Sequence, residues 1–446
     1  MEIYLLILML MFFLLFQICI CKKKIFSPTV LLTLCFFISA INLITMKNTW
    51  DIAIQLRTVM IIILGILFFS LGCFFAAISI KDGKLKIKKT YAIERENCVI
   101  DRLEKLCNKK ILMFCFFIFN LSSSGAYAYF SIKYATSYGA GGSLLYLLAY
   151  TQDLQKFSDA SFDVPILISL SFSVCRFSAY IWGILFIQRI FTKKKGNGAI
   201  VLCLLSSLIG QLCVGARGAV VSTILGLGIY FLFENNKYRK FYFKIKYVVV
   251  IAISVIAFMV VFDYYARITH RITNDYSMWE YISIYLGAPI LNLDYVLKTK
   301  IIHSTLFGKN TLSGMYSWIN NRFGFTFNGM STSLGFRESY NHTLGNVYTI
   351  FGYLFIDFDY WGTYIYMFII GFLNQVIYNV AKKNQQNNPL SISTLLYTYC
   401  APLVFLSFFS NRFAENLISV DFLHGFVAWV IVIFVLNKFS FEKIVQ

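Results

Sequence analysis

The sequence predicts an all-α polytopic membrane protein with about eleven transmembrane helices and one large external loop. Three observations predict it. Of the 446 residues 58% are hydrophobic and only 14% charged, where a soluble domain carries about a quarter, and the mean hydropathy is +0.68. The apolar residues gather in repeated runs of roughly 17 to 25, the length a helix needs to cross a bilayer. The Lys and Arg residues gather in short segments beside alternate runs, a pattern that sets topology. The formal charge of +19 would otherwise invite nucleic acid, but this placement argues against such a partner.

In chain order the apolar runs fall at 3–20, 29–46, 58–80, 111–130, 164–191, 199–214, 218–233, 247–262, 361–381, 391–409 and 417–437. The first begins at Ile3 with no basic region before it and no small-residue cleavage site after it, so it reads as a retained helix. Lys22–Lys24, the 81–110 segment, Lys193–Lys195, the 234–246 segment, Lys382–Lys383 and the Lys438/Lys443 tail hold most of the basic charge. The positive-inside rule makes these cytoplasmic, with the N-terminus and 263–346 outside and the C-terminus inside. The 81–110 segment reads as a solvated linker with one short helix, a topological signal near anionic lipid. The 199–233 stretch fits either two short spans or a re-entrant pair, and two spans preserve the charge alternation. The chain thus divides into 1–262, 263–346 and 347–446.

The cysteines lie almost all within apolar runs, with only Cys98 and Cys107 in a polar segment. Neither a disulfide framework nor a metal-ligand spacing emerges.

The block from Asp263 to about Asn346 is the one long polar stretch. It holds His270, His303 and His342 of the four histidines. A loop positioned by a rigid helical scaffold is where chemistry is expected. His342 and Glu338, four apart, would share a helical face beside Arg337, which suits a general base next to a cation. In the spans themselves, Arg176 lies mid-helix with no acid in local helical reach, so it must meet an anion or polar groups from another helix. Arg217, in Gly215-Ala-Arg217-Gly218 between two short runs, is either a snorkelling arginine at a tight turn or faces an anionic ligand. Asp357 and Asp359 stand in an aromatic surrounding, and Asp421 and His424 lie about a turn apart in the last run. Arg412 and Glu415, three apart, read as a local ion pair. The chain lacks a P-loop, a dinucleotide-binding glycine fingerprint, HExxH and a DxD pair in the long loop. Those absences count against a nucleotide-dependent cytoplasmic enzyme.

The run Gly345-Asn346-Val-Tyr348-Thr349, followed by Asp357-Phe358-Asp359 and Gly362, resembles the oligosaccharide repeat-unit (O-antigen) polymerases, as do the Gly-Ala-Arg217-Gly element and the plan of spans with a late external loop. The family more often has glycine where Asp359 stands, which leaves open whether Asp357 or Asp359 faces substrate. The resemblance implies a GT-C-like glycosyltransferase in the bacterial inner membrane, with neither cofactor nor metal. It would move a growing glycan from its polyprenyl pyrophosphate to a hydroxyl of an incoming lipid-linked repeat unit. Implied partners are those lipid-linked oligosaccharides, membrane lipids, and a chain-length regulator and flippase of the same pathway. Arg217, then Arg176 and Arg337, would neutralise the pyrophosphate, because forked guanidinium donors suit phosphate oxygens. His342, Glu338 and Asp357 are the base candidates, unranked: Asp357 has the motif behind it, while an imidazole has the more suitable ordinary pKa, near about 6.5. Asn346, Tyr348 and the loop aromatics Trp279, Tyr316 and Trp318 would contact sugar. An O-antigen ligase would share fold and arginines, whereas a flippase would spread its charges through many helices.

Overall fold

The computed structural model describes residues 1–20, 26–81, 110–157, 162–192, 197–215, 217–238, 260, 263–269, 277–299, 306–323, 334–339, 342–384 and 390–441. Of the linker expected at 81–110, residues 82–109 lie outside the described residues, as do the run at 247–262 apart from Val260, and His270 and His303. Besides a single turn at Lys47–Trp50, the helices include α1 (Glu2–Ile20), α2 (Pro28–Thr45), α3 (Leu56–Lys81), α4 (Lys110–Ser137), α5 (Leu144–Phe157), α6 (Ile166–Phe191), α7 (Gly198–Leu212) and α8 (Arg217–Tyr238). There follow α9 (Met278–Leu286), α10 (Ala288–Thr299), α11 (Ser313–Phe323), α12 (Thr349–Asn384), α13 (Ile392–Phe405), α14 (Arg412–Leu417) and α15 (Val420–Phe441).

Among the described residues, 7 helices are long and apolar enough to cross a membrane, and α7, α13 and α15 are shorter apolar helices. Helices therefore occupy every predicted run that falls among the described residues. Their outer faces suit lipid rather than water: along α1, Leu8, Phe12, Leu15 and Phe16 are exposed while Leu6 and Leu10 are buried. The chain is a multi-pass, helical membrane protein. One feature departs from the all-α expectation. Arg337–Ser339 (β1) and His342–Gly345 (β2) pair as an antiparallel hairpin. A second departure is at 361–381, where the helix starts earlier, at Thr349. It continues through Asp357 and breaks at Asp359, whose φ of 56° and ψ of −167° are not helical.

Packing divides the chain into two compact units. The first comprises Met1–Ile80, Tyr242–Val376 and Leu403–Val420. Some of its buried polar side chains bond across helices. Thr33 Oγ1 donates to Gln17 Oε1 at 2.8 Å, and Gln17 Nε2 to Ser70 Oγ at 3.2 Å, which ties α2, α1 and α3. Where α3 and α12 cross, backbones touch directly. A Cβ on Gly72 would sit 2.1 Å from the Phe368 carbonyl oxygen, and one on Gly371 would sit 2.1 Å from that of Phe69. Only small residues permit that approach, and without a hydrophobic force between helices in lipid such contact is what holds them.

The polar block is fastened to one end of these helices. Asn42 Nδ2 near the end of α2 donates to Ser283 Oγ of α9 at 3.0 Å, and Ser39 Oγ donates to the Leu286 carbonyl. The buried Asp294 carboxylate of α10 accepts from the Gln55 N–H at 2.7 Å and from Thr58 Oγ1. An anion there also suits the positive end of the α3 dipole.

The second unit comprises Lys81–Phe241, Ile377–Pro402 and Asp421–Gln446. A polar seam runs through it. Asn120 Nδ2 of α4 donates to Ser206 and Ser207 of α7 at 3.1 and 2.9 Å, Ser178 Oγ of α6 lies 3.0 Å from Ser207 Oγ, and Gln211 Nε2 reaches the Arg176 carbonyl at 3.0 Å. Such interhelical bonds in membranes contribute about 0.6 to 2 kcal/mol each. Trp429 Nε1 of α15 donates to the Phe177 carbonyl at 2.8 Å.

Candidate functional site

Most of the candidate residues fall in the first unit, around α9, α10 and the hairpin. Ser277 caps α9 by accepting the Glu280 N–H at 3.1 Å, so the Ser277-Met-Trp-Glu280 spacing starts the helix as a capping serine should. The cap fixes the Glu280 backbone. Its side chain points to β2, where His342 Nδ1 lies 2.7 Å from Glu280 Oε1. Nδ1–H donates to the carboxylate, and among the described residues Nε2 of this one-third-exposed ring has no partner.

The expected Glu338–His342 helical face is not formed. In the hairpin Glu338 pairs with Thr343 while Ser339 pairs with His342. A spacing of four stacks side chains only on a helix, and here the two residues sit on opposite strands. Glu338 is exposed on β1.

The hairpin is clamped onto α10 by Arg337, expected to serve substrate, and by Asn292 of the helix itself. Arg337 Nη1 donates to the Leu291 carbonyl at 2.6 Å, and its guanidinium carbon lies 4.5 Å from the centre of the Tyr295 ring. Asn292 Nδ2 donates to the carbonyls of Leu344 and Val347 at 3.1 and 2.8 Å. Tyr348 OH donates to the Gly335 carbonyl at 2.8 Å. Burial lowers the Arg337 pKa from its usual value, an effect that Tyr348 and Tyr295 oppose. Burial raises that of Tyr348, with Arg337 opposing. Asn346 is half-buried, while Trp318 on α11 is exposed and meets Phe323 edge-on at 5.9 Å.

Asp357 spends both carboxylate oxygens on the segment before α11. Oδ1 accepts from the Asn310 N–H at 3.1 Å and from Asn310 Nδ2 at 2.8 Å, and Oδ2 accepts the Thr311 N–H at 2.6 Å.

The other two arginines belong to the second unit. Arg176 forms a two-pronged pair with Asp421, Nη1 to Oδ1 at 3.0 Å and Nη2 to Oδ2 at 2.9 Å. The acid that sequence could not supply locally comes from α15. Arg217 opens α8, is 8% exposed, and is engaged within the protein. The turn before it needs Gly215: φ is +78°, and a Cβ would lie 2.1 Å from the Leu148 carbonyl oxygen of α5.

Sequence reasoning missed Glu280 and Asp294 as partners, each fixed by contacts far along the chain. Among the described residues no three His, Cys, Asp or Glu side chains group closely enough to hold a metal ion. No family model, curated protein or solved structure matches the chain.

Proposed function

We propose that this chain polymerises lipid-linked oligosaccharide repeat units at a membrane surface. The observation that carries the reading is the Glu280–His342 pair at 2.7 Å, with the far ring nitrogen unpartnered among the described residues. A carboxylate on one imidazole nitrogen fixes the tautomer and leaves the other as a proton acceptor, the arrangement of an oriented general base. In the proposed step an acceptor hydroxyl oxygen attacks the anomeric carbon of the donor glycan. The bond from that carbon to the pyrophosphate oxygen breaks, and its electron pair leaves with the pyrophosphate. The hydroxyl proton passes to His342 Nε2. A GT-C-like fold, an outward-facing polar block and an inner-membrane location complete the reading, supported by the charge alternation along the chain.

The test is the surface-glycan ladder of a strain lacking the protein. The expected result is a core bearing one repeat unit and no longer chains, restored to a full ladder by the wild-type gene. A core with no repeat unit would overturn polymerisation in favour of a ligase or a flippase.

A further inference from the structure

Arg176, Arg217 and Arg337 are all engaged by protein groups. Arg57 is not. It is the second residue of α3, exposed, and among the described residues it makes no hydrogen bond, ion pair or ring contact. Its helix end is nonetheless rigid, because Asp294 holds Gln55 and Thr58 on either side of it.

Arg57 lines a cleft of about 650 Å³ within the first unit, with Leu56, Met60, Leu297, Phe355, Asp359 and Tyr360. That is a typical size for a ligand site. Asp359 is the residue at the break in α12, and its φ of 56° with ψ of −167° lies in a region that costs a non-glycine residue about 1–3 kcal/mol. Such strain persists only where the surroundings impose it. Here it exposes a carboxylate at the cleft. Oδ1 accepts the Tyr360 N–H at 2.8 Å, while Oδ2 has no partner among the described residues. Arg57 and Asp359 therefore line one cleft without pairing with each other, both exposed and both open to a ligand carrying an anion and a hydrogen-bond donor.

The rest of the lining identifies the ligand's third part. Leu56 and Met60 are one helical turn apart and 56% and 44% exposed, so the cleft's rim is continuous with the apolar surface that faces lipid. A water-borne phosphate would gain nothing from that rim. A hydrocarbon chain would.

We infer that this cleft binds a lipid-borne phosphate whose headgroup carries hydroxyl or ammonium donors. Arg57 takes the phosphate oxygens through its fork, Asp359 Oδ2 accepts from the adjacent donor, and the chain lies along Leu56, Met60, Leu297 and Phe355. That the lipid is the polyprenyl-linked glycan rests on the polymerase reading. An ordinary aminophospholipid offers the same chemistry.

The test is ligand binding by native mass spectrometry of the full chain in detergent. The probes are geranylgeranyl pyrophosphate, phosphatidylethanolamine, geranylgeraniol and inorganic pyrophosphate. Arg57→Ala should weaken geranylgeranyl pyrophosphate at least about tenfold, one charge-assisted contact, and Arg57→Lys should fall between it and wild type. Lys47→Ala, removing an exposed cation outside the cleft lining, should change binding less than about twofold. Geranylgeraniol should be indifferent to Arg57, and inorganic pyrophosphate should bind far more weakly than its lipid ester. Asp359→Asn should weaken phosphatidylethanolamine and spare geranylgeranyl pyrophosphate, which has no headgroup donor. Arg57-dependent binding of phosphatidylethanolamine alone would support the site and assign it to membrane phospholipid. Equal effects of Arg57→Ala and Lys47→Ala, or wild-type affinity in both Arg57 variants, would overturn the site. If polymer forms normally while Arg57 proves irrelevant, the site falls and the function stands. If binding depends on Arg57 but no polymer ever forms, the function falls and the site stands.

Discussion

At the scale of single residues, the meaning of a spacing depends on the structure around it. Arg412 and Glu415, three apart, form the ion pair their spacing implies, Nη1 to Oε2 at 3.1 Å, because they share the short helix α14. Glu338 and His342, four apart, do not meet, because a hairpin stands where a helix was expected. The partners that matter most are remote. Glu280 and His342 are 62 residues apart, Arg176 and Asp421 are 245 apart, and no local pattern announces either. Asp357 illustrates the consequence. Sequence offers it as one of three base candidates, and in the structure its two oxygens accept three hydrogen bonds from Asn310 and Thr311. Asp357→Asn replaces one acceptor with a donor facing N–H groups, which should cost about 1–3 kcal/mol. The expected outcome is a lower melting temperature and faster proteolysis near 306–312. Unchanged stability with lost turnover would instead make Asp357 part of the chemistry.

At the scale of elements, the helices were legible because a bilayer imposes both their length and their composition. What the apolar runs could not show is where α12 begins. Asp357 and Asp359 interrupt its hydropathy, so the run starts at 361, yet the helix reaches back to Thr349 with its break at Asp359. Nor could they show what joins α6 to α15. The Arg176–Asp421 pair does so, with side chains 17% and 46% exposed. Removing one partner of a buried pair costs about 3–5 kcal/mol, and the half-exposure of Asp421 places this pair toward or below the lower end. Arg176→Ala and Asp421→Ala should each reduce thermal stability in detergent. Arg176→Leu/Asp421→Leu should recover much of it, since apolar replacement of both partners is often neutral. A double variant as unstable as the sum of the single ones would mean the two residues act independently.

At the scale of the whole molecule, the polar block is an assembly of helices and a hairpin fixed to the ends of membrane helices through Asn42, Ser39 and Asp294. Its existence was legible as the one long polar stretch; its architecture was not, because each anchor joins segments far apart in sequence. Its most consequential feature for the proposed function is the histidine held by Glu280. The central claim is therefore tested most directly by reconstitution. Purified protein in lipid nanodiscs would be given only lipid-linked repeat unit, and products resolved by chain length. The account predicts a ladder of glycans from wild-type protein. It also predicts a loss of about 10²–10⁴-fold in rate for His342→Gln, the usual contribution of a general base, with lipid-linked donor still bound. Wild-type protein that yields nothing longer than the unit supplied, or His342→Gln that polymerises at the wild-type rate, would contradict it.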